Sequence, residues 1–174
     1  MAFEPSIFVV ETIGSGLLAV MARPVPGDWV DDEFAKISVF GIHRIVSLLE
    51  PAEAIAIGLE DESVFCERHS MEFVPYPIPD RGLPESIADF AEFTRSLYES
   101  IGQGNNTVIH CRAGIGRTGV VAAGILLHAA FDGESAFDHI TKARGKSVPD
   151  TEEQRQWIID NQHAILTQSQ ESRK

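Results

Sequence analysis

The organisation of this 174-residue chain follows from one stretch, Thr107-Val108-Ile109-His110-Cys111-Arg112-Ala113-Gly114-Ile115-Gly116-Arg117-Thr118-Gly119. The apolar run at 107–109 predicts a buried strand and the apolar run at 120–131 predicts a helix, so a strand-to-helix turn lies between them. Three glycines allow the backbone of this turn to curl with its N–H groups inward, toward the positive end of the following helix. The turn is therefore predicted to bind an anion such as a phosphoryl group.

The side chains of this turn predict nucleophilic chemistry on the bound anion. Arg117 lies six positions after Cys111, so its planar guanidinium is expected to return across the mouth and bind two phosphate oxygens. The amides and helix dipole that hold a phosphate also stabilise a thiolate, and they lower the pKa of Cys111 from its usual value of about 8.5. Thr118 is expected to place its hydroxyl near the sulfur and stabilise the thiolate as a leaving group.

The ten residues 110–119 resemble the phosphate-binding loop of the cysteine-dependent protein tyrosine phosphatase superfamily, in which His precedes Cys-x5-Arg and Thr follows it. The resemblance extends from residues 24–27 to the last helix and is closest to small dual-specificity phosphatases of the cyclin-dependent-kinase-associated type. It implies an α/β fold, with a central mixed, mostly parallel sheet flanked by helices. It also implies hydrolysis of phosphotyrosine through a phosphocysteine intermediate, without a cofactor or metal; activity on phosphoserine and phosphothreonine stays open.

The resemblance implies roles for residues outside the loop. Asp80, which stands 31 positions before the cysteine (111 − 80), is predicted to be the general acid, with a plain turn residue as the alternative and Asp89 or Glu85 as weaker candidates. Gln154 is predicted to position the hydrolytic water, or else to be structural behind an N-cap at Thr151. The full predicted site comprises the catalytic residues Cys111, Asp80, Arg117, Thr118, Gln154 and His110, and the substrate-binding residues Arg112, Ala113, Gly114, Ile115, Gly116, Arg117 and Arg81.

Apolar periodicity predicts the remaining elements. Strands are expected at 7–10, 17–22, 44–49 and 71–76; helices are expected around 34–40, at 53–68 with a possible break at Gly58, and at 86–101, 134–143 and 151–166. Asp28 or Asp31 is expected to cap the first helix and Gly41 to end it. The acidic run 60–62 is predicted to be a solvated face and a helix start, and the polar tail 168–174 is expected to fray.

Composition predicts one domain over residues 1–174, because 44% of the residues are hydrophobic and no low-complexity stretch divides them. A formal charge of −12 argues against nucleic acid and anionic membranes as general partners. Neither a secretion signal nor an apolar run of 18 residues is present, so a cytoplasmic protein without a membrane anchor is predicted. We expect a monomer with phosphoprotein substrates and reducing surroundings, in which Cys66 is a structural thiol.

Two alternative functions stay open at this point. One is a lipid phosphatase of the tensin type, whose loop carries two basic residues; Arg112 matches one of them and Ile115 departs from the other. The second is a non-catalytic module that recognises phosphate with the same loop. The basic residues Arg81, Arg112, Lys142, Arg144 and Lys146 are either a cationic rim around the mouth or ordinary solvated charges.

Overall fold

A computed structural model describes residues 6–171 of the chain. Within these residues, five strands form one sheet and seven helices surround it. In chain order the elements are β1 Phe8–Ile13, β2 Gly16–Met21, α1 Val30–Phe40, β3 Arg44–Ser47, α2 Pro51–Ala56, α3 Glu62–Arg68, β4 Glu72–Pro75, α4 Ile87–Gly102, β5 Thr107–His110, α5 Gly116–His128, α6 Gly133–Arg144 and α7 Glu152–Glu171.

The strands lie in the order β1-β2-β5-β3-β4, with β1 antiparallel to β2 and every other pair parallel. Val46 of β3 and Val20 of β2 both align with Ile109 of β5, so the strand that leads into the predicted anion site is central. The predicted α/β fold, with a mixed, mostly parallel sheet flanked by helices, is confirmed. The carboxyl ends of the four parallel strands meet at one edge, where open α/β sheets bind their ligands.

Both faces of the sheet are buried, as alternating side chains of the central strands show. Val108 points into a core shared with Phe34 and Ile37 of α1, together with residues of α3. Ile109 points to the opposite side, into a larger core that includes Phe90 of α4 and residues of α5, α6 and α7. Burial on two sides explains why β5 is a continuous apolar run instead of an alternating pattern.

Several predicted boundaries need correction. The stretch 53–68 is two helices, because Gly58 adopts a φ of +75° in the turn that separates α2 from α3. Neither Asp28 nor Asp31 caps α1: Trp29 occupies the N-cap without a side-chain hydrogen bond, whereas Gly41 ends the helix with a φ of 106° as predicted. The polar tail does not fray at 168, since α7 continues to Glu171; the rest of that prediction lies outside the described residues. No helix within residues 6–171 is long and apolar enough to cross a membrane.

Candidate active site

The predicted loop encloses a pocket of about 150 Å³ at the carboxyl edge of the sheet. Three connections contribute to its walls: the loop after β5, the segment after β4 and the segment before α7. The lining residues are Asp80, Arg81, Cys111, Arg112, Ala113, Gly116, Arg117 and Asp150. Most of the predicted substrate-binding residues therefore border one cavity. Gly114 and Ile115 do not line it, since Gly114 packs against β2 and Ile115 is half-buried against the core.

The loop glycines have two different functions. Gly114 has a φ of +69°, in the left-handed region, and a Cβ there would collide with the carbonyl oxygen of Met21 at the end of β2. Gly116 has an ordinary φ, but a Cβ at this position would lie 2.9 Å from the Cβ of Asp150 and 3.0 Å from Oε1 of Gln154. The loop thus needs one glycine for its conformation and the other for its close contact with the segment before α7.

Cys111 lies at the base of the pocket with only 3% of its surface exposed. Burial alone would raise the pKa of its thiol. However, hydrogen bonds from the hydroxyl and amide of Thr118, the positive charge of Arg117 and the amide of Gly114 outweigh that effect and lower the pKa below its ordinary value. The Thr118 hydroxyl is buried and has no other hydrogen-bond partner among the described residues, so it is available to the sulfur. This environment favours a thiolate.

Arg117 is buried and fixed by five hydrogen bonds. Its Nη1 and Nη2 donate to the two carboxylate oxygens of Glu53 at 2.8 and 2.9 Å, a bidentate ion pair. Nη1 also donates to the carbonyl oxygens of Leu48 and Ile78, and Nη2 donates to Oδ1 of Asp80 at 3.1 Å. The hydrogen bond from Arg117 is the main cause that lowers the pKa of Glu53. The guanidinium is therefore oriented before any anion binds.

Asp80 lines the same pocket as Cys111 and accepts a hydrogen bond from Arg117. Its side chain is 58% exposed, and the residue belongs to the segment after β4. Asp89 and Glu85, the weaker candidates, do not border the pocket. Asp89 instead lies in the first turn of α4, where its amide donates to the capping hydroxyl of Ser86. The geometry favours Asp80 among the three carboxylates.

Gln154 is fully buried next to the loop and does not line the pocket. Its Nε2 donates to the carbonyl oxygen of Gly82 at 3.1 Å, and its Oε1 accepts from the amide of Thr151 at 3.2 Å. The side chain thus connects the segment that carries Asp80 to the start of α7. In this arrangement the amide is closed to solvent, so placing a water in the pocket would require a rearrangement.

Neither alternative for the basic residues, a cationic rim or solvated charge, holds for Arg144. Arg144 is buried behind the loop, where Nη2 donates to the carbonyl oxygen of Ala113 and Nε to that of Gly114. It therefore supports the loop from below. Two arginines lie at the mouth of the pocket. Nε of Arg112 lies 3.4 Å from Oε1 of Glu53, and Nε of Arg81 lies 3.5 Å from Oδ2 of Asp150. Lys142 and Lys146 are exposed and do not line the pocket.

Sequence reasoning missed the acidic residues that organise the site. The sequence places Glu53 in a helix and Glu62 at a helix start on a solvated face. The helix start is correct, but Glu53 binds Arg117, and Glu62 is buried against His110. A charged residue four positions after Leu49, just beyond the predicted strand 44–49, is the only available indication for Glu53. Within residues 6–171 no cluster of three or more His, Cys, Asp or Glu side chains is arranged to hold a metal ion.

Comparisons with known proteins bear on the same region. Residues 19–130, which run from within β2 to two residues beyond α5, match the family model described as polymorphic toxin system, DSP-PTPase phosphatase. The chain is 30% identical over 125 residues to cyclin-dependent kinase inhibitor 3 of Sus scrofa, covering 61% of this chain and 58% of that protein. It is 26% identical over 110 residues to phosphatidylglycerophosphate phosphatase PTPMT2 of Arabidopsis thaliana, covering 63% and 46%. It spans about half the length of these curated relatives.

A solved structure shows the same fold. The crystal structure of kinase associated phosphatase, with its catalytic-site cysteine substituted by serine, superimposes with a TM-score of 0.82 at 21% sequence identity. The superposition covers 95% of this chain and 97% of that one. At this identity the likeness shows a common architecture and leaves substrate and partner open.

Proposed function

This chain belongs to the DSP-PTPase phosphatase family of polymorphic toxin systems, and from that premise we propose that it hydrolyses phosphate monoesters of proteins, with phosphotyrosine as the preferred substrate. The observation that carries the proposal is the environment of Cys111. A buried thiol with a lowered pKa lies in one pocket with an oriented guanidinium and the carboxyl group of Asp80. A thiolate, an oxyanion site and a proton donor are the three components that this reaction needs.

The proposed reaction has two steps. In the first, the Cys111 sulfur attacks phosphorus; the bond to the leaving oxygen breaks, and that oxygen takes a proton from Asp80. In the second step, water attacks the phosphorus of the phosphocysteine and gives a proton to the Asp80 carboxylate. The sulfur–phosphorus bond breaks, so phosphate is released and the thiolate is regenerated. Arg117 and the loop amides bind the equatorial oxygens in both steps, and Thr118 stabilises the sulfur when it leaves.

The charge around the mouth of the pocket favours a phosphoprotein over a highly phosphorylated lipid as the substrate. Each arginine at the mouth has an acidic partner, since Arg112 lies near Glu53 and Arg81 lies near Asp150. Arg144 turns its charge toward the underside of the loop. The surrounding surface belongs to a chain with a formal charge of −12. Such a mouth offers little net attraction for a substrate with several phosphates.

The proposal is tested by measuring kcat/KM on phosphotyrosine, phosphoserine and phosphothreonine peptides beside a phosphoinositide series. We expect phosphotyrosine to be hydrolysed fastest, the other two peptides more slowly, and phosphoinositides least. Cys111→Ser should abolish turnover while vanadate still binds, because a serine hydroxyl is not ionised at neutral pH. A phosphoinositide as best substrate would replace this proposal with the lipid alternative, and anion binding without turnover by the unmodified protein would favour a non-catalytic module.

A further inference from the structure

A buried pair contacts the backbone of the nucleophile. His110, the last residue of β5, is completely buried, and Glu62, the first residue of α3, has 2% of its side chain exposed. Nε2 of His110 lies 2.8 Å from Oε1 of Glu62, and Nδ1 lies 3.0 Å from the carbonyl oxygen of Cys111. Both ring nitrogens therefore face an oxygen, and the pair is closed to solvent.

The geometry determines where protons must be. A backbone carbonyl oxygen only accepts hydrogen bonds, so Nδ1 carries a hydrogen. The contact at Nε2 then needs a second proton, which lies either on the imidazole or on the carboxyl group. The charge and hydrogen bond of Glu62 outweigh the burial of the imidazole, so the proton belongs to His110. The result is an imidazolium with its anionic partner on the side away from the loop.

We propose that Glu62 is a positioning residue that holds His110 in the doubly protonated form and thereby stabilises the Cys111 thiolate. The positive ring donates a hydrogen bond from Nδ1 to the carbonyl oxygen of Cys111, whereas the Glu62 carboxylate contacts the ring at Nε2, farther from Cys111. The nearer charge dominates at the sulfur, so the pair acts on it as a positive group. The effect on turnover rests on the proposed function; the effect on the thiol does not.

Other charges around the pair are consistent with this assignment. Burial alone would lower the pKa of His110, but the charge and hydrogen bond of Glu62, together with the Cys111 contacts, raise it above its ordinary value. Cys111 is also faced by Arg117 of α5 and Arg144 of α6. On the far side, Cys66 of α3 is buried near Glu62, and burial followed by that charge raises its pKa to about 12.

The test replaces Glu62 by Gln, which keeps the size of the side chain, offers either an oxygen or an N–H to Nε2, and removes the charge. The rate of iodoacetamide alkylation at Cys111 is followed from pH 4 to 9 by mass spectrometry; Cys66 does not ionise in this range. We expect the apparent pKa of Cys111 to rise by about one pH unit in Glu62→Gln. Glu60→Gln, an exposed change of the same charge two positions earlier, should leave the pKa unchanged.

A second measurement records the protonation of His110 directly, from the ¹⁵N shifts of its ring. The unmodified protein should show both nitrogens protonated at pH 7, and Glu62→Gln should show one. An unchanged Cys111 pKa in a folded Glu62→Gln protein would overturn the proposal. So would a singly protonated His110 in the unmodified protein, a result that decides the matter even if the variant does not fold. If the thiol pKa shifts but no phosphate ester is hydrolysed by the unmodified protein, the proposed function fails and this inference stands.

Discussion

Glu53→Gln tests how far Arg117 depends on its ion pair. The substitution keeps the shape of the side chain and one acceptor oxygen, so the capping box at the start of α2, in which Glu53 accepts from the Glu50 amide, is preserved. It removes the charge that meets both terminal nitrogens of the guanidinium. Arg117 then stays buried, with the carbonyl oxygens of Leu48 and Ile78 and the Asp80 carboxylate as its remaining partners.

The contacts set the expected magnitude. Removing one partner of a fully buried ion pair costs about 3–5 kcal/mol. Glu53 is 10% exposed and Arg117 keeps three other partners, so we expect a loss of about 2 kcal/mol in the free energy of unfolding. A guanidinium that no longer has a fixed plane should also bind the transition state less well, and we expect kcat/KM to fall by about 10- to 100-fold.

Urea unfolding and peptide hydrolysis measure the two effects, with Glu67→Gln on the exposed side of α3 as the matched control. The stability difference should also depend on pH. Because the pKa of Glu53 is lowered in the folded protein, its stabilisation is present above the ordinary value of 4.5 and is lost as the pH falls through the lowered folded value. The two unfolding curves should therefore converge in acid. Unchanged kinetics and an unchanged urea midpoint in Glu53→Gln would refute this account of Arg117.

Two further substitutions test the proposed reaction. Arg117→Lys should weaken vanadate binding and lower kcat/KM strongly, since an ammonium group cannot reproduce the planar fork; near-normal kinetics would remove Arg117 from its role. Asp80→Asn should lower kcat by about 10²- to 10⁴-fold on a phosphotyrosine peptide with little change in KM, and flatten the alkaline limb of the pH profile. The deficit should shrink for an aryl phosphate whose phenol has a low pKa, and an equal deficit across leaving groups, with reduced thermal stability, would indicate a turn residue.

The resemblance to small dual-specificity phosphatases is confirmed by the matching family model and by the fold. The predicted roles of Gln154 and Asp80 stay predictions, although the structure brings both residues to the loop. The expectations of a cytoplasmic location, a monomer and a single domain also stay predictions. The predicted helix start at Ser86 is confirmed, because its hydroxyl accepts from the amide of Asp89.

The sequence by itself determined the features that depend on neighbouring residues. The segment 107–119 contains the strand, the turn glycines, the nucleophile and the arginine within thirteen positions, so the pattern of residue types already predicts an anion site. Alternation and helical periodicity likewise predicted most elements, since burial of one face leaves a local pattern. These inferences needed no knowledge of how distant segments pack.

Only the tertiary structure decided which charges support the loop. Glu53 reaches Arg117 across 64 positions, Glu62 reaches His110 across 48, and Arg144 reaches Gly114 across 30. In sequence each looks like an ordinary surface charge, because nothing local distinguishes a solvated carboxylate from one that will be buried. Parallel strands bring the segments after β3, β4 and β5 to one edge of the sheet. There the guanidinium and imidazole are buried away from water, and anionic side chains take the place of the lost hydration.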